Sequence, residues 1–449
     1  MQNAKNLYII KGTESFVRGE LDNVTLENNV LRLEQMGGQY VLYGCYTSQP
    51  VNFPAFTSLA MSWNAETPKD TVVEAQCRVL LNDEWSSWVS FGKWSPFREM
   101  TPVESKSKEQ PIYVKNGILY LKEGCAKRAQ LRLYLYTDNA RLTPIVRLLA
   151  ASVQPVDQKM EPAEPYGRLL RLPAYSQLVR DPALRDEMDT PCALASLMNR
   201  WGQDVLPEEV AHVMRDPATG DCKNHSFAVA AAAAWGCEAY LAYLEPKAVW
   251  EHIKAGKSVA LELNYSVTES QSAENGYPVL HGGSYLGEKQ FMPLRGFELD
   301  PEGKVMALVN DSHAPSDKEA EKSYSAEELW AAYSGLALIF TGFHQNKLIK
   351  ESPLRHHVSL RRLTEVGCYQ FLDPDGNVLP VPEDFTGTLA ATRREETAWA
   401  TTAHKKFYYL GTGPQGSVRV PSEAREQGGK LTVYAIWPSG SALVAEISL

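Results

Sequence analysis

The chain has 449 residues, enough for about three domains at the usual size of roughly 150 residues each. Apolar residues make up 44% and charged residues 22%, with 30 Gly and 27 Pro, which excludes a disordered, collagen-like or coiled-coil protein. The 54 acidic and 45 basic residues leave a net charge of −9, which repels nucleic acid and anionic membranes. We therefore expect neither as a partner.

Targeting and cysteine patterns predict a soluble cytoplasmic protein. The first ten residues lack the apolar run of a signal peptide, and the longest stretch of low polarity, Phe227 to Trp235, falls far short of the roughly 20 residues that span a bilayer. The 7 cysteines are odd in number and form no Cys-x-x-Cys pair, which fits a reducing compartment. Cys222 and His225 lie close together, but no second ligand pair follows them at zinc spacing. We expect no metal and no cofactor.

The pattern of residues 1–153 predicts an antiparallel β-sandwich. Such a domain could bind a ligand or a carbohydrate. Segments 39–44 and 130–136 alternate apolar and polar residues, and turn signals recur between such segments without a long helical period. Three tryptophans, Trp85, Trp88 and Trp94, could form a platform on which a sugar stacks. Core packing is the favoured interpretation, because aromatic residues are mostly structural.

Three prolines and several charges in residues 154–166 indicate a linker. Residues 167–345 predict an α+β domain, and residues 346–449 a smaller C-terminal β-rich domain with turn signals such as Asp373-Pro-Asp-Gly. The periodicity in the middle domain predicts helices at 192–201, 207–214, 226–235 and 246–255 and strands at 258–263, 291–297, 305–310 and 337–340.

The middle domain resembles the papain-like cysteine peptidases related to the bacteriocin-leader-processing (double-glycine) peptidases. The resemblance rests on Arg171-Leu-Pro-Ala-Tyr-Ser-Gln and on Asp189-Thr-Pro-Cys-Ala-Leu-Ala-Ser-Leu-Met-Asn-Arg-Trp-Gly, and it continues through segments 224–236, 249–261, 294–297 and 309–315. It implies a papain-like fold over roughly residues 169–340. In this family a Cys at a helix N-terminus is the nucleophile, a His is the acid and base, an Asp or Asn orients that His, and a Gln donates to the oxyanion.

Alignment with the family assigns an occupant to each of the four roles. Gln177 matches the oxyanion Gln, and Asp311 either matches the orienting acid or is a turn residue whose side chain bonds to the nearby backbone. The nucleophile position holds Asp189, which is a poor nucleophile toward an amide but a good helix N-cap. The base position holds Gln290, which cannot exchange a proton near neutral pH. The resemblance thus implies a scaffold without its thiol and imidazole, as in a pseudoenzyme.

An alternative register makes Cys192, three residues further along the helix, the nucleophile, with His281, His313 or His225 as the base. Cys192 would then lie one turn inward from the N–H groups that activate a thiol, so a buried, inert thiol is favoured.

Three functions follow from these patterns. The leading hypothesis is a catalytically inactive cysteine-peptidase-like protein whose papain-like cleft binds a peptide or small amide ligand. The second is an active cysteine hydrolase that uses Cys192. The third is a carbohydrate-associated binding protein that acts through the N-terminal domain.

Overall fold

The computed structural model describes residues 5–97, 111–158, 160, 163, 166–284, 289–344, 349–394 and 405–449. Strand accounts for 46% and helix for 17% of the structure, so the protein is mostly β. Within these ranges, no helix is long and apolar enough to cross a membrane. The predicted linker at 154–166 lies partly outside the described residues.

The N-terminal part forms an antiparallel sheet that the described residues build from 13 strands. Its central strands are long and alternate buried and less buried side chains, as β14 shows, so one face packs inward. A two-stranded ribbon, β5 and β6, lies apart from this sheet. The elements are β1 (Leu7–Lys11), α1 (Thr13–Phe16), β2 (Glu20–Asp22), β3 (Val24–Glu27), β4 (Val30–Leu33), β5 (Gln35–Met36), β6 (Gln39–Tyr40), β7 (Tyr43–Thr47), β8 (Val51–Glu66), β9 (Thr71–Leu81), β10 (Glu84–Trp85), β11 (Val89–Trp94), β12 (Ile112–Lys115), β13 (Ile118–Leu121), β14 (Ala126–Thr137) and β15 (Ile145–Pro155).

The middle part is an antiparallel sheet with helices, and its periodicity-based predictions are confirmed to within a few residues. Among the described residues the sheet has the order β17-β22-β18-β19-β20-β21, with β16 beside β19. The elements are β16 (Arg168–Leu169), α2 (Asp189–Asn199), α3 (Pro207–Met214), α4 (His225–Ala234), β17 (Cys237–Tyr243), α5 (Pro246–Lys254), β18 (Ser258–Leu263), α6 (Glu269–Asn275), β19 (Gln290–Leu299), β20 (Val305–Asn310), β21 (Glu321–Ser325), α7 (Ala326–Ala332) and β22 (Tyr333–Phe343).

The C-terminal part is β-rich, as predicted. Two five-stranded sheets are seen in the part of the chain that the structure describes, with the orders β23-β32-β31-β27-β28 and β24-β25-β30-β29, the second also including β26. The elements are β23 (Arg355–His357), β24 (Ser359–Arg362), β25 (Cys368–Leu372), β26 (Val378–Leu379), β27 (Thr388–Arg394), β28 (Lys405–Tyr409), β29 (Gly411–Gly413), β30 (Ser417–Arg419), α8 (Ser422–Glu426), β31 (Lys430–Ile436) and β32 (Ala442–Ser448).

The N-terminal sheet and the middle helices share one hydrophobic core. Helix α4 packs on strand β8, and the ring of Phe227 meets the ring of Trp63 edge-on at 6.2 Å. The turn between β12 and β13 packs against the start of α4. Gly117 has φ +73° there, and a Cβ on it would approach the side-chain oxygen of Asn224 to 2.5 Å, so this position requires glycine. The N-terminal part therefore fixes the position at which α4 begins.

Candidate active site

Gln177 lies in a short 3-10 helix and is joined to the segment after β20. Its backbone N–H donates to the carbonyl of Ser312 at 2.8 Å, and its side-chain Oε1 accepts from the Ser312 hydroxyl at 3.0 Å. Its Nε2 donates to the carbonyl of Arg185 at 2.9 Å. Gln177 is 3% exposed, so this amide is held inside the protein. Gln177, predicted for the oxyanion, is thus bonded to the residue that follows Asp311, predicted as the orienting acid.

Asp311 follows β20 directly and is fully buried. Its Oδ2 accepts from the hydroxyl of Tyr324 at 2.7 Å, and its Oδ1 accepts from the backbone N–H of His313 at 2.9 Å. The imidazole of His313 is further away, with its Nδ1 3.9 Å from Oδ1. A tyrosine hydroxyl therefore occupies the Asp311 oxygen that would orient a catalytic imidazole in the resembled family.

Gln290 begins β19 and also bonds to a tyrosine. Its Nε2 donates to the hydroxyl of Tyr265 at 2.7 Å, and its Oε1 has no hydrogen-bond partner among the described residues. Gln290 is opposite Leu263 in the sheet and is 3% exposed. Tyr265 and Tyr324 belong to one hydrophobic core cluster. Gln290 and Asp311, the residues predicted for the base and orienting positions, are thus each bonded to a buried tyrosine hydroxyl.

Asp189 is the first residue of α2, and Met188 is its N-cap, so the prediction of Asp189 as the N-cap is wrong by one residue. Its carboxylate accepts from the hydroxyl of Thr190 at 3.4 Å. Burial raises the pKa of Asp189 to about 6, against a smaller lowering by Thr190 and by the charge of His225. The residue as a whole is half-buried. A carboxyl group that loses its proton near pH 6 thus stands where the family resemblance predicts the nucleophile.

This raised pKa predicts a dependence of stability on pH. Because the folded value lies above the ordinary value of 3.8, ionisation of Asp189 costs more in the folded protein, so its contribution to stability falls between about pH 4 and pH 6. We expect D189N to remove this loss. The free energy of unfolding of D189N minus that of the wild type should therefore increase as the pH rises from about 4 to about 6. Urea denaturation at pH 4, 5, 6 and 7 measures the difference. A difference that stays constant with pH would contradict the raised pKa.

A buried imidazole–carboxylate pair, His225 and Glu262, joins the start of α4 to β18. The Nε2 of His225 is 2.8 Å from Oε1 of Glu262. Glu262 Oε2 also accepts from the hydroxyl of Ser334 at 2.6 Å and from Nζ of Lys289 at 3.4 Å. These donors, against the cost of burial, lower the pKa of Glu262 to about 2, so the carboxylate is ionised at neutral pH.

Sequence reasoning named His225 only as one alternative base and missed Glu262 altogether. The two residues are separated by 37 positions and belong to α4 and β18. The signal that could have found the pair is the single glutamate in the strand Ser258-Val-Ala-Leu-Glu-Leu, in which every residue is buried. A carboxylate in such a strand requires buried donors.

The alternative nucleophile and base have different surroundings. Cys192 is 2% exposed and belongs to the main core cluster, and burial raises the pKa of its thiol well above the ordinary value. The side chain of His281 is 69% exposed, and its Nδ1 is 3.0 Å from Oε1 of Glu328. The contacts of the described residues thus do not join this thiol to this imidazole.

We expect Cys192 to be inert in the native protein, because a thiol with a raised pKa provides little thiolate. Iodoacetamide at pH 8, followed by peptide mass spectrometry, should modify the exposed Cys125 and leave Cys192 unmodified until urea unfolds the chain. An adduct on Cys192 at a rate similar to that of Cys125 would instead favour the active register.

The three N-terminal tryptophans do not form one exposed row. Trp94 is 2% exposed and lies in the core. The guanidinium of Arg78 lies 4.8 Å from the ring centre of Trp85 and 4.7 Å from that of Trp88, and Arg132 lies 3.8 Å from Trp88. Since arginines cover these rings, the structure does not favour sugar stacking at this position. Carbohydrate binding by the N-terminal part stays an untested prediction.

Comparison with known proteins connects the N-terminal part to a peptidase family. Residues 10–153 match the model described as Peptidase C39 N-terminal domain, which supports a relationship to the C39 peptidases. The match covers the N-terminal sheet and ends before the middle part. A comparison with curated proteins found no match.

Two solved structures show weak likeness to the chain. One is the C-terminal CBM6 of LamC, a marine laminarinase from Zobellia galactanivorans, with a TM-score of 0.17 and 9% identity over 33% of this chain and 99% of that one. The other is the insecticidal crystal protein Cry2Aa, with a TM-score of 0.15 and 10% identity over 33% of this chain and 21% of that one. TM-scores this low bear on neither the fold nor the function of this chain.

Proposed function

We propose that this chain is an inactive cysteine-peptidase-like protein whose middle domain has a papain-like cleft that binds a peptide or amide ligand. The occupancy of the family's chemical positions carries the proposal. Tyrosine hydroxyls bond to Gln290 and Asp311, and the nucleophile position has the carboxylate of Asp189. A Cys–His–Asp relay needs a thiol within hydrogen-bond reach of an imidazole that a carboxylate orients.

Unused hydrogen-bonding capacity supports binding in this region. Oε1 of Gln290 is buried without a partner among the described residues, and the carboxylate of Asp189 has Thr190 as its hydrogen-bond partner, with the hydroxyl at the long distance of 3.4 Å. Buried acceptors are normally satisfied, so acceptors left open fit a ligand that brings N–H donors, as a peptide does. The match of residues 10–153 to a domain of C39 peptidases supports a peptide as the ligand class.

The test uses an internally quenched peptide with a Gly-Gly site and a fluorescent analogue of the same sequence. We expect the analogue to give saturable fluorescence anisotropy and the quenched peptide to remain intact over hours. D189N should weaken binding about tenfold, the effect of losing one hydrogen bond to a charged group. Cleavage that C192A abolishes would establish the active hydrolase instead, and the absence of saturable binding to wild type would refute the proposal.

A further inference from the structure

Strand β17 lies at the edge of the middle sheet, yet its outer edge is buried. Within the described residues, β17 pairs only with β22. Ala239, Leu241 and Tyr243 of β17 are all buried. Buried N–H and carbonyl groups need hydrogen-bond partners, which a neighbouring strand would normally provide. The outer edge of β17 therefore needs partners from elsewhere in the chain.

Side chains of strand β8 bond to the first part of this edge. Oδ1 of Asn64 accepts from the N–H of Ala239 at 3.1 Å, and its Nδ2 donates to the carbonyl of Ala239 at 2.7 Å. The hydroxyl of Ser62 accepts from the N–H of Leu241 at 3.2 Å. The amide of Asn64 thus pairs with Ala239 as the backbone of a residue in an opposite strand would.

Strand β15 and the residue before β1 bond to the end of β17. The hydroxyl of Ser152 accepts from the N–H of Tyr243 at 2.9 Å and donates to the carbonyl of Asn6 at 3.0 Å. Nδ2 of Asn6 donates to the carbonyl of Tyr243 at 2.7 Å. Side chains of the N-terminal part therefore bond to three N–H groups and two carbonyl groups of β17.

The sheet face that makes these bonds is covered by the middle part. Residues 58–65 of β8 are buried without alternation, whereas a strand with one face in water would alternate buried and exposed residues. Leu148 and Ala150 of β15 belong to the same core cluster as Tyr240 and Ala242 of β17. Both faces of β8 are therefore covered here, one by the core of the N-terminal part and the other by the middle part.

Helix α4 also depends on the N-terminal sheet. Residues 227–234 are all apolar, and residues 225–233 are all buried. A helix that is apolar on all sides needs cover on every side. Within the middle part α2, α3 and β17 pack against α4, and β8 covers it from the N-terminal part. The hydroxyl of Ser226 also donates to the carbonyl of Met61 in β8 at 2.6 Å. The middle part alone would leave one side of this helix bare.

We infer that the N-terminal part is a folding template for the middle part, which is folded only while the N-terminal sheet is folded. The template takes the place of the neighbouring strand that β17 lacks, and it covers the side of α4 that the middle part leaves open. This role belongs to the segment that matches the Peptidase C39 N-terminal domain. It goes beyond the proposed function, since it holds with or without a ligand in the cleft.

Hydrogen–deuterium exchange of the full chain at increasing urea concentration, measured by peptide mass spectrometry, tests this inference. Peptides from β9 and β14 report on the N-terminal sheet, and peptides from β17 and β19 report on the middle part. We expect the middle peptides to lose protection at the same urea concentration as the N-terminal peptides or at a lower one. Middle peptides that stay protected after β9 and β14 have lost protection would overturn the inference.

The matched variants are N64L and N52L, which change two asparagines of the same strand. Leucine at position 64 cannot bond to Ala239, so both backbone groups of Ala239 are left buried without a partner. We expect the peptide of residues 237–243 to exchange at least about tenfold faster in N64L than in the wild type. Asn52 is exposed, so N52L should leave this rate unchanged. Equal rates in N64L and N52L would overturn the inference, and the urea series on the wild type decides it if N64L does not fold.

Discussion

D189C should place a thiol of raised pKa at the first position of α2, as unreactive in the native protein as Cys192. Burial raises the pKa of the Asp189 carboxyl to about 6 against the smaller lowering by Thr190 and by the charge of His225, and the same burial acts on a thiol at this position. We expect an apparent thiol pKa above the ordinary value of about 8.5. The pH dependence of iodoacetamide labelling between pH 5 and 9, followed by mass spectrometry, measures this value.

The control for D189C is the double variant D189C/H225F. Removing the imidazole takes away the lowering effect of its charge, so the thiol pKa of the double variant should lie above that of the single variant, while the exposed Cys125 provides an internal reference in every sample. A D189C thiol that titrates well below about 8.5 would contradict the prediction and would mean that the start of α2 activates a nucleophile.

R355M should strongly destabilise the contact between the middle and C-terminal parts. Nε and Nη2 of Arg355 donate to the two carboxylate oxygens of Glu209 at 2.8 and 2.7 Å, and the two side chains are 3% and 0% exposed. Removing the guanidinium leaves a fully buried carboxylate without its main partner. A loss of about 3–5 kcal/mol in the free energy of unfolding is expected.

Chemical denaturation of R355M, E209Q and the double variant measures this coupling. The double variant should lose less stability than the sum of the single variants, because neither side chain is then left buried with an unpaired charge. R419M is the matched control, since Arg419 and Glu365 form a pair whose side chains are 52% and 46% exposed, and it should cost no more than about 1 kcal/mol. Similar losses for R355M and R419M would contradict the prediction.

Secondary structure in the middle part was predictable because its signals are local. Helix α3 and strands β18 and β20 have the bounds that periodicity predicts, and α4 differs by one residue at each end. Pro207 at the first position of α3 and Asn224 at the N-cap of α4 mark where these helices begin. Such signals act through neighbours one turn away, so the sequence alone contains them.

The candidate site was only partly predictable. Matching to a family pattern named Gln177 and Asp311, and Ser312 indeed brings the segments of the two residues together. The same matching gave no reason to expect that Tyr324 bonds to Asp311 or that Tyr265 bonds to Gln290. These tyrosines come from elements outside the matched motifs, so a pattern of motifs does not contain them.

The sequence by itself determined the β-rich ends and the helices and strands between them, and it predicts that Asp189 replaces the family's nucleophile. Only the tertiary structure decided where the imidazole and the carboxylates lie. His225 of α4 forms a hydrogen bond with Glu262 of β18, and its backbone N–H donates to the carbonyl of Asn116 in a turn of the N-terminal sheet. The physical reason is that periodicity and capping act within one element, whereas a buried charge must find its donors wherever the packed chain brings them.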